Sequence, residues 1–315
     1  MSALSTRMRS DSGQAMLFMV FALMGFVGMV SLVVDGGSWL RTQRQVQTAA
    51  DAAALAGAQD IPNQTNARTT AINYAQQNFS GIAAPAITFP SAGEIDVVAQ
   101  RPVSGIFIPA LNATARAHAR AQVSVPSMMN NVAPIAVKTT SACIISDPTC
   151  FERTVTVSFT ESQLASSAIG LVDLRCQSAT SSVNCDNSTG INLGASTLKD
   201  WIECNPCFPN ALPANKWYSV KTGQNTGPIQ QGLNNAADAR RILIFPVFDV
   251  ADASVPSFHV IAWAAFLIDV GGVQWSPSAK SITGHFTTLI ATDLAAGDPI
   301  SGATDYGVHV ITLTQ

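Results

Sequence analysis

The first 60 residues contain no proline, the first 142 contain no cysteine, and no charge of either sign falls between Asp11 and Asp35. Each absence narrows what the chain can be. Without proline, nothing forces a break or kink in a helix that starts near the N-terminus. Without early cysteine, any oxidised framework is confined to the chain from Cys143 onward. Charge is scarce throughout, at 12% of residues, and 17 basic against 20 acidic side chains leave a net charge of −3. That balance provides no basic face for a phosphate backbone, so no nucleic-acid partner is expected. The sequence also lacks a phosphate-gripping glycine loop, a catalytic triad and a defensible acid pair. No cofactor, metal site or enzymatic activity is expected. At 315 residues the chain is long enough for one or two domains with real cores.

What is present begins with one long apolar run, AMLFMVFALMGFVGMVSLVV, from Ala15 to Val34. Roughly 20 such residues at ~1.5 Å each span a bilayer core, which predicts a transmembrane helix. A cleavable signal peptide would have a shorter apolar region of about 7–15 residues ending in small residues; this one runs on into Val-Val-Asp-Gly-Gly-Ser-Trp. Trp39 falls one turn beyond Asp35, where an interfacial aromatic is expected. With no proline before Pro62, the helix continues past the span, and Gly36 and Gly37 are its soft point. Gln43, Gln47 and Asp51 recur at i, i+4 as a polar row. Opposite them, Val46, Ala49, Ala50, Ala53, Ala54 and Gly57 form a narrow face whose small side chains let another backbone approach closely. That face suits either the helices of partner chains or the chain's own globular part.

Ser12-Gly13-Gln14, the apolar span, Asp35-Gly36, Arg41 and the string Gln47-Thr48-Ala49-Ala50-Asp51-Ala52-Ala53-Ala54-Leu55-Ala56 resemble the N-terminal segment of TadE/TadG-like proteins of the Flp (tight adherence, type IVc) pilus assembly system. Residues 66–79 (NARTTAINYAQQNF) are similar to the helix that follows in that family. The resemblance implies a pseudopilin-like protein of the bacterial cell membrane, working in pilus assembly, associated secretion or adhesion. Its partners would be the lipid bilayer and other pilin, pseudopilin or pilus-assembly helices. Prepilin processing asks for a glutamate five residues past the cleaved glycine; counted from Gly13 that position is Phe18, so cleavage is not carried over. Nor is a von Willebrand A-like metal site, because the chain has no D-x-S-x-S string.

Beyond Asp60 the pattern changes. Residues 94–100 (EIDVVAQ) and 113–125 (ATARAHARAQVSV) alternate as strands do, giving a small α+β unit. Pro126 to Asn131 reads as a boundary. From Val132 the chain reads as β-rich: Val155, Val157 and Phe159 point inward, and residues 241–250 (RILIFPVFDV) and 258–268 (FHVIAWAAFLI) are apolar runs of central strands. Pro246 argues for a bulge or an edge in the first of them. Residues 281–292 and 306–314 supply further strands, and Leu198, Trp201 and Ile202 share a face of a short helix. The fold class is therefore α+β: a long N-terminal transmembrane helix with a small-residue extension and a small αβ unit, then a mainly antiparallel, sandwich-like β domain with disulfides. The expected organisation is a cytoplasmic lead (1–14), a transmembrane helix (15–34), the pseudopilin-like helix and α+β unit (35–131) and an extracytoplasmic β-rich domain (132–315).

The six cysteines, Cys143, Cys150, Cys176, Cys185, Cys204 and Cys207, lie within about 65 residues of one another in Ser/Thr/Asn-rich loops. An even count in that setting reads as disulfides in an oxidising compartment, which puts the bulk of the chain outside the cytoplasm and the N-terminus within it. Six cysteines allow 15 pairings; nearest neighbours are the simplest. Cys204-Asn205-Pro206-Cys207 has thiol-oxidoreductase spacing, but an active C-x-x-C opens a helix, and this one follows a helix. His259, His285 and His309 fall on three successive predicted strands without a carboxylate spacing that would complete a metal site. A binding or adhesin module displayed by the anchor is the main alternative to an assembly role, and an extracytoplasmic thiol oxidoreductase is the lesser one.

Overall fold

The computed structural model describes residues 12–107, 112–147, 149–159, 170–183, 193–221, 226–252, 254–276, 279–292, 294, 296–300 and 303–314. The chain divides into two compact units. One comprises Met1–Pro90, Ile95–Ala121 and Leu313–Gln315, and the other Ser91–Glu94 and Gln122–Thr312.

The first unit is built on α1, a single unbroken helix of 47 residues from Ser12 to Ala58. At 1.5 Å per residue it is about 70 Å long. Nothing in its sequence interrupts it: proline is absent, and Gly36 and Gly37 are accommodated without a break. A tight turn leads to α2, Gln64–Asn78, whose N-terminus is capped by the Asn63 side chain accepting from the Asn66 N–H at 3.1 Å. Ala67, Ala71 and Ala75, one turn apart on α2, are fully buried. The unit continues through β1 (Ala86–Thr88), β2 (Glu94–Ser104) and β3 (Asn112–Pro126); β1 lies antiparallel on β2. Strict alternation decides their facing. Ile95, Val97 and Ala99 on β2, and Ala115, Ala117, Ala119 and Ala121 on β3, are buried while their neighbours are not. The result is a small unit whose core is unusually rich in alanine.

The second unit takes the end of β3 from Gln122, then β4 (Met128–Met129), β5 (Val137–Lys138), β6 (Val155–Ser158) and β7 (Val172–Ser178). After α3 (Ala195–Glu203) come β8 (Leu212–Pro213), β9 (Lys216–Val220) and α4 (Thr226–Asp238). The chain finishes through β10 (Ile242–Asp252), β11 (Ser257–Trp275), β12 (Lys280–Thr287), β13 (Leu289–Ile290), β14 (Ala296–Pro299) and β15 (Val308–Leu313). A seven-stranded sheet runs β5-β10-β11-β12-β6, with β9 on β11 and β7 on β9. Only β5 is parallel to its neighbour in it. Its centre is aromatic: Phe245 of β10, Phe266 of β11 and Phe286 of β12 stand in a row, with ring centroids 5.7 and 4.8 Å apart. Pro246 sits opposite Trp263, and the register slips directly after it, between Val247 and Phe248 and again before Val250. On the other side of β10 only Val247 and Phe248 pair with β5, so the missing proline N–H falls where the ladder is short.

The α+β class with mainly antiparallel sheets is the expected one. The β-rich half differs in one respect: besides the expected short helix, a second helix that the sequence pattern does not predict, α4, packs on β11 and covers part of the sheet. Residues 226–238 (TGPIQQGLNNAAD) are poor in strong helix formers, but Pro228 lies in the first turn, where it is tolerated. Ile229, Leu233, Ala236 and Ala237 are buried at i, i+4, i+7 and i+8.

Candidate functional site

Helix α1 carries two different surfaces. From Met16 to Val34 its large apolar side chains are exposed all round, and the segment is long and apolar enough to cross a membrane. Within it, the Ser31 hydroxyl donates to the Val27 carbonyl at 2.7 Å, so its polar atom makes no demand on the surroundings. Past Trp39 and the exposed Arg41 and Arg44, the helix becomes the spine of the first unit.

The small-residue face lies in that second stretch. Val46, Ala49, Ala50, Ala53 and Ala54 have no exposed surface at all, and Gly57 is buried with them. Their occupant is the chain itself. A Cβ placed on Gly57 would meet Ile95 Cδ1 of β2 at 2.6 Å, the Ala67 carbonyl of α2 at 2.9 Å and Ala71 Cβ at 3.0 Å. The chain's own α2 and β2 are seated on this face, and the surface is covered without any partner helix. The polar row beside it also has a defined role. The Gln43 amide pairs with the β3 backbone in both directions, donating to the Arg116 carbonyl at 2.6 Å and accepting from the Arg116 N–H at 3.2 Å. Gln47 donates to the His118 carbonyl at 3.2 Å and to Asp51 at 2.7 Å. Glutamine side chains thus extend the hydrogen bonding of β3 onto the helix.

Asp35 is the residue whose role the sequence does not reveal. Only 1% of it is exposed. Its Oδ1 accepts from the Ile106 N–H at 2.7 Å and the Phe107 N–H at 3.1 Å, and Oδ2 lies 3.3 Å from the latter donor. A carboxylate accepting from two backbone N–H groups is a strong, charge-assisted clamp, and here it fastens the segment after β2 to the end of the apolar span.

In the second unit, Cys143–Cys150 and Cys204–Cys207 are disulfides. Cys176 is disulfide-bonded as well, and Cys185 lies outside the described residues. Cys204 is the C-cap of α3, in the left-handed region at φ 54°, ψ 46°. A cysteine there faces the carbonyl end of the helix dipole, the opposite of what stabilises a thiolate.

The histidines are spread over separate pairs. His259 meets Asp249 at 2.8 Å, His285 meets Asp269 at 3.3 Å, and the buried His309 meets Asp305 at 2.8 Å; His118 in the first unit meets Asp96 at 2.6 Å. The carboxylates that sequence spacing does not reveal are reached through strand pairing and turns, one per imidazole, and hydrogen bonds orient the His259 and His309 rings. Among the described residues no group of three metal-ligating side chains converges. A cleft of about 380 Å³ in the second unit is edged by Ser127, Asn215, Asp298, Thr304 and Tyr306; it sits at the small end of the range for ligand sites.

The class these features define is a helix-borne protein, with one apolar rod whose continuation carries an α+β unit on a small-residue face. Residues 13–60 match the model of a family described as putative Flp pilus-assembly TadE/G-like. The match begins and ends with α1 and its closing turn. No curated protein matches the chain, and no solved structure matches it.

Proposed function

We propose that this chain is a membrane-anchored, pseudopilin-like protein with a structural role in Flp (tight-adherence) pilus assembly or the secretion tied to it. The observation that carries the reading is the coincidence of the family match with one continuous helix, exposed and apolar in its first part and load-carrying in its second. Residues 15–34 cross the bacterial cell membrane once. The lead 1–14 is cytoplasmic, and residues 35–131 and 132–315 form a pseudopilin-like portion and a β-rich portion outside, where disulfides are stable. Because the face at Val46, Ala49, Ala50, Ala53, Ala54 and Gly57 is filled from within, its part in assembly is positional: it fixes the first unit on the rod. Partner helices of the pilus machinery then meet the rod along its exposed apolar stretch, where packing competes with lipid.

The test is in a strain that builds the pilus. Replacing the span with an unrelated transmembrane helix of equal length keeps the anchor and removes the specific surface. Loss of assembly with normal membrane insertion supports the reading, and normal assembly overturns the partner role. The cleft edged by Asn215 and Thr304 favours a second reading, in which the β-rich unit binds a surface ligand. Thr304→Arg, which fills the cleft from an exposed position, would then abolish attachment and leave assembly intact.

A further inference from the structure

In the first unit, the exposed large apolar side chains outside α1 are Tyr74, Ile106, Phe107 and, at 42%, Leu313 at the end of β15, among the described residues. Tyr74 is an isolated, amphipathic side chain on α2. Ile106 and Phe107 are neighbours, 65% and 57% exposed, and belong to no sheet or helix. Adjacent apolar side chains held out from a fold mark an interaction surface. The question is what covers them.

Their level along α1 answers it. β3 runs in the same direction as the helix: Gln43 meets Arg116 and Gln47 meets His118. Four helical residues rise about 6 Å and two strand residues about 6.6 Å, so the two elements advance in step. Going back from Gln43 to Asp35 descends about 12 Å along the helix. Going back from Arg116 to Asn112 descends about 13 Å along the strand. The start of β3 therefore lies level with Asp35, where the carboxylate holds the Ile106 and Phe107 N–H groups. Asp35 directly follows the last residue of the apolar span, and Trp39, the interfacial aromatic, is one turn above it.

We infer that the tip after β2, through Ile106 and Phe107, inserts into the interfacial layer of the same bilayer leaflet that α1 leaves. This rests on the anchored reading of α1 and adds a second, non-helical lipid contact. Helix and tip give the first unit two points of contact on the membrane. Asp35 both ties the tip down and satisfies the two backbone donors that would be costly to bring toward lipid unpaired. The occupant is lipid because the patch continues the exposed apolar surface of the span at the same height.

The experiment uses the full chain in lipid nanodiscs, one copy per disc. No described cysteine is free, so a single introduced thiol, Phe107→Cys, Met24→Cys or Tyr74→Cys, carries an environment-sensitive fluorophore. Quenching is read with water-soluble iodide and with lipids bearing a nitroxide on the acyl chain. The inference requires position 107 to resemble position 24: a blue-shifted emission, iodide quenching severalfold weaker than at 74, and clear quenching by the lipid nitroxide. Adding Asp35→Ala should move position 107 toward the behaviour of 74 and leave 24 unchanged. Iodide access at 107 equal to that at 74 overturns the inference while the anchor stands. Shielding from both quenchers means protein covers the tip and also overturns it. Iodide access at 24 removes the anchor itself, and the inference with it.

Discussion

Gly57→Ala isolates the close approach on which the first unit depends. Alanine is favoured over glycine in a helix interior by about 1 kcal/mol, so a free site would gain stability. At Gly57 the added methyl would sit 2.6 Å from Ile95 Cδ1, 2.9 Å from the Ala67 carbonyl oxygen and 3.0 Å from Ala71 Cβ. The isoleucine terminus can rotate away; the α2 backbone cannot move without lifting the helix. Overpacking of this kind costs about 1–3 kcal/mol. Gly36 in the same helix has nothing within 4 Å of the corresponding position, so Gly36→Ala gives the propensity gain alone. Gly57 is the penultimate residue of α1, where the propensity gain is smaller than at Gly36, so the difference between the two variants reads chiefly the clash. Hydrogen exchange of the Ala67, Ala71 and Ala75 amides in detergent-solubilised full-length protein reads it directly. A clash of that size accelerates their exchange in Gly57→Ala roughly 5- to 150-fold relative to Gly36→Ala. Equal protection in the two variants would mean that the α1–α2 contact is not close-packed, and the positional role of the alanine face would fall.

Other outcomes follow from the same geometry. Ala50→Leu and Ala53→Leu each force a larger side chain into a fully buried site and should cost about 1–3 kcal/mol or more, seen as loss of α2 protection with membrane insertion unchanged. Replacing both Cys143 and Cys150 by serine opens a short loop and should destabilise the second unit by about 2–3 kcal/mol, measured by denaturant midpoint under non-reducing conditions; an unmoved midpoint would contradict it. Hydroxyl donors from Ser254 and Ser181, then the Ser254 and Val255 N–H groups, hold the Asp252 carboxyl down at about 2 against an ordinary 3.8. The turn between β10 and β11 therefore keeps this support above pH 3.8 and loses it as pH falls through about 2, which the exchange of the Ser254 and Val255 amides would report. Burial raises the Tyr218 phenol, whose hydroxyl donates to the Pro213 carbonyl at 2.6 Å. Its neutral form supports the fold below the ordinary value of 10, and that support fades as pH rises through the higher folded value. Phenolate absorbance from Tyr218 should therefore appear only late in an alkaline titration, and early ionisation would count against the buried bond.

The parts that were legible in the sequence are those governed by local pattern. A proline-free apolar run that continues into alanines predicts a continuous helix with Gly36 and Gly37 as its soft point, and α1 is unbroken from Ser12 to Ala58. The alternation of residues 94–100 and 113–125 places the buried face of β2 and β3 correctly, and the neighbouring cysteines at 143 and 150, and at 204 and 207, do pair. What was illegible depends on contacts distant in sequence. Asp35 meets backbone donors 71 and 72 residues away, and backbone N–H groups carry no residue identity for a sequence reading to find. Small side chains at 46–57 announce that something approaches closely but not whether it belongs to the same chain. Helix α4 is illegible because two glycines, a proline and two asparagines weaken its propensity, and burial against β11 supplies what propensity does not.

On the proposed reading, residues 15–34 hold the chain in the membrane, residues 1–14 stay on the cytoplasmic side and residues 35–315 lie on the far side. Spheroplasts carrying the full chain, treated with a membrane-impermeant protease and then fractionated in alkaline carbonate, test it in one step. The expected result is that the chain stays with the membrane pellet and that protease removes all of it except a short fragment ending just beyond Trp39. A full-length chain released into the carbonate supernatant, or a chain that begins near residue 35 before any protease is added, would contradict it.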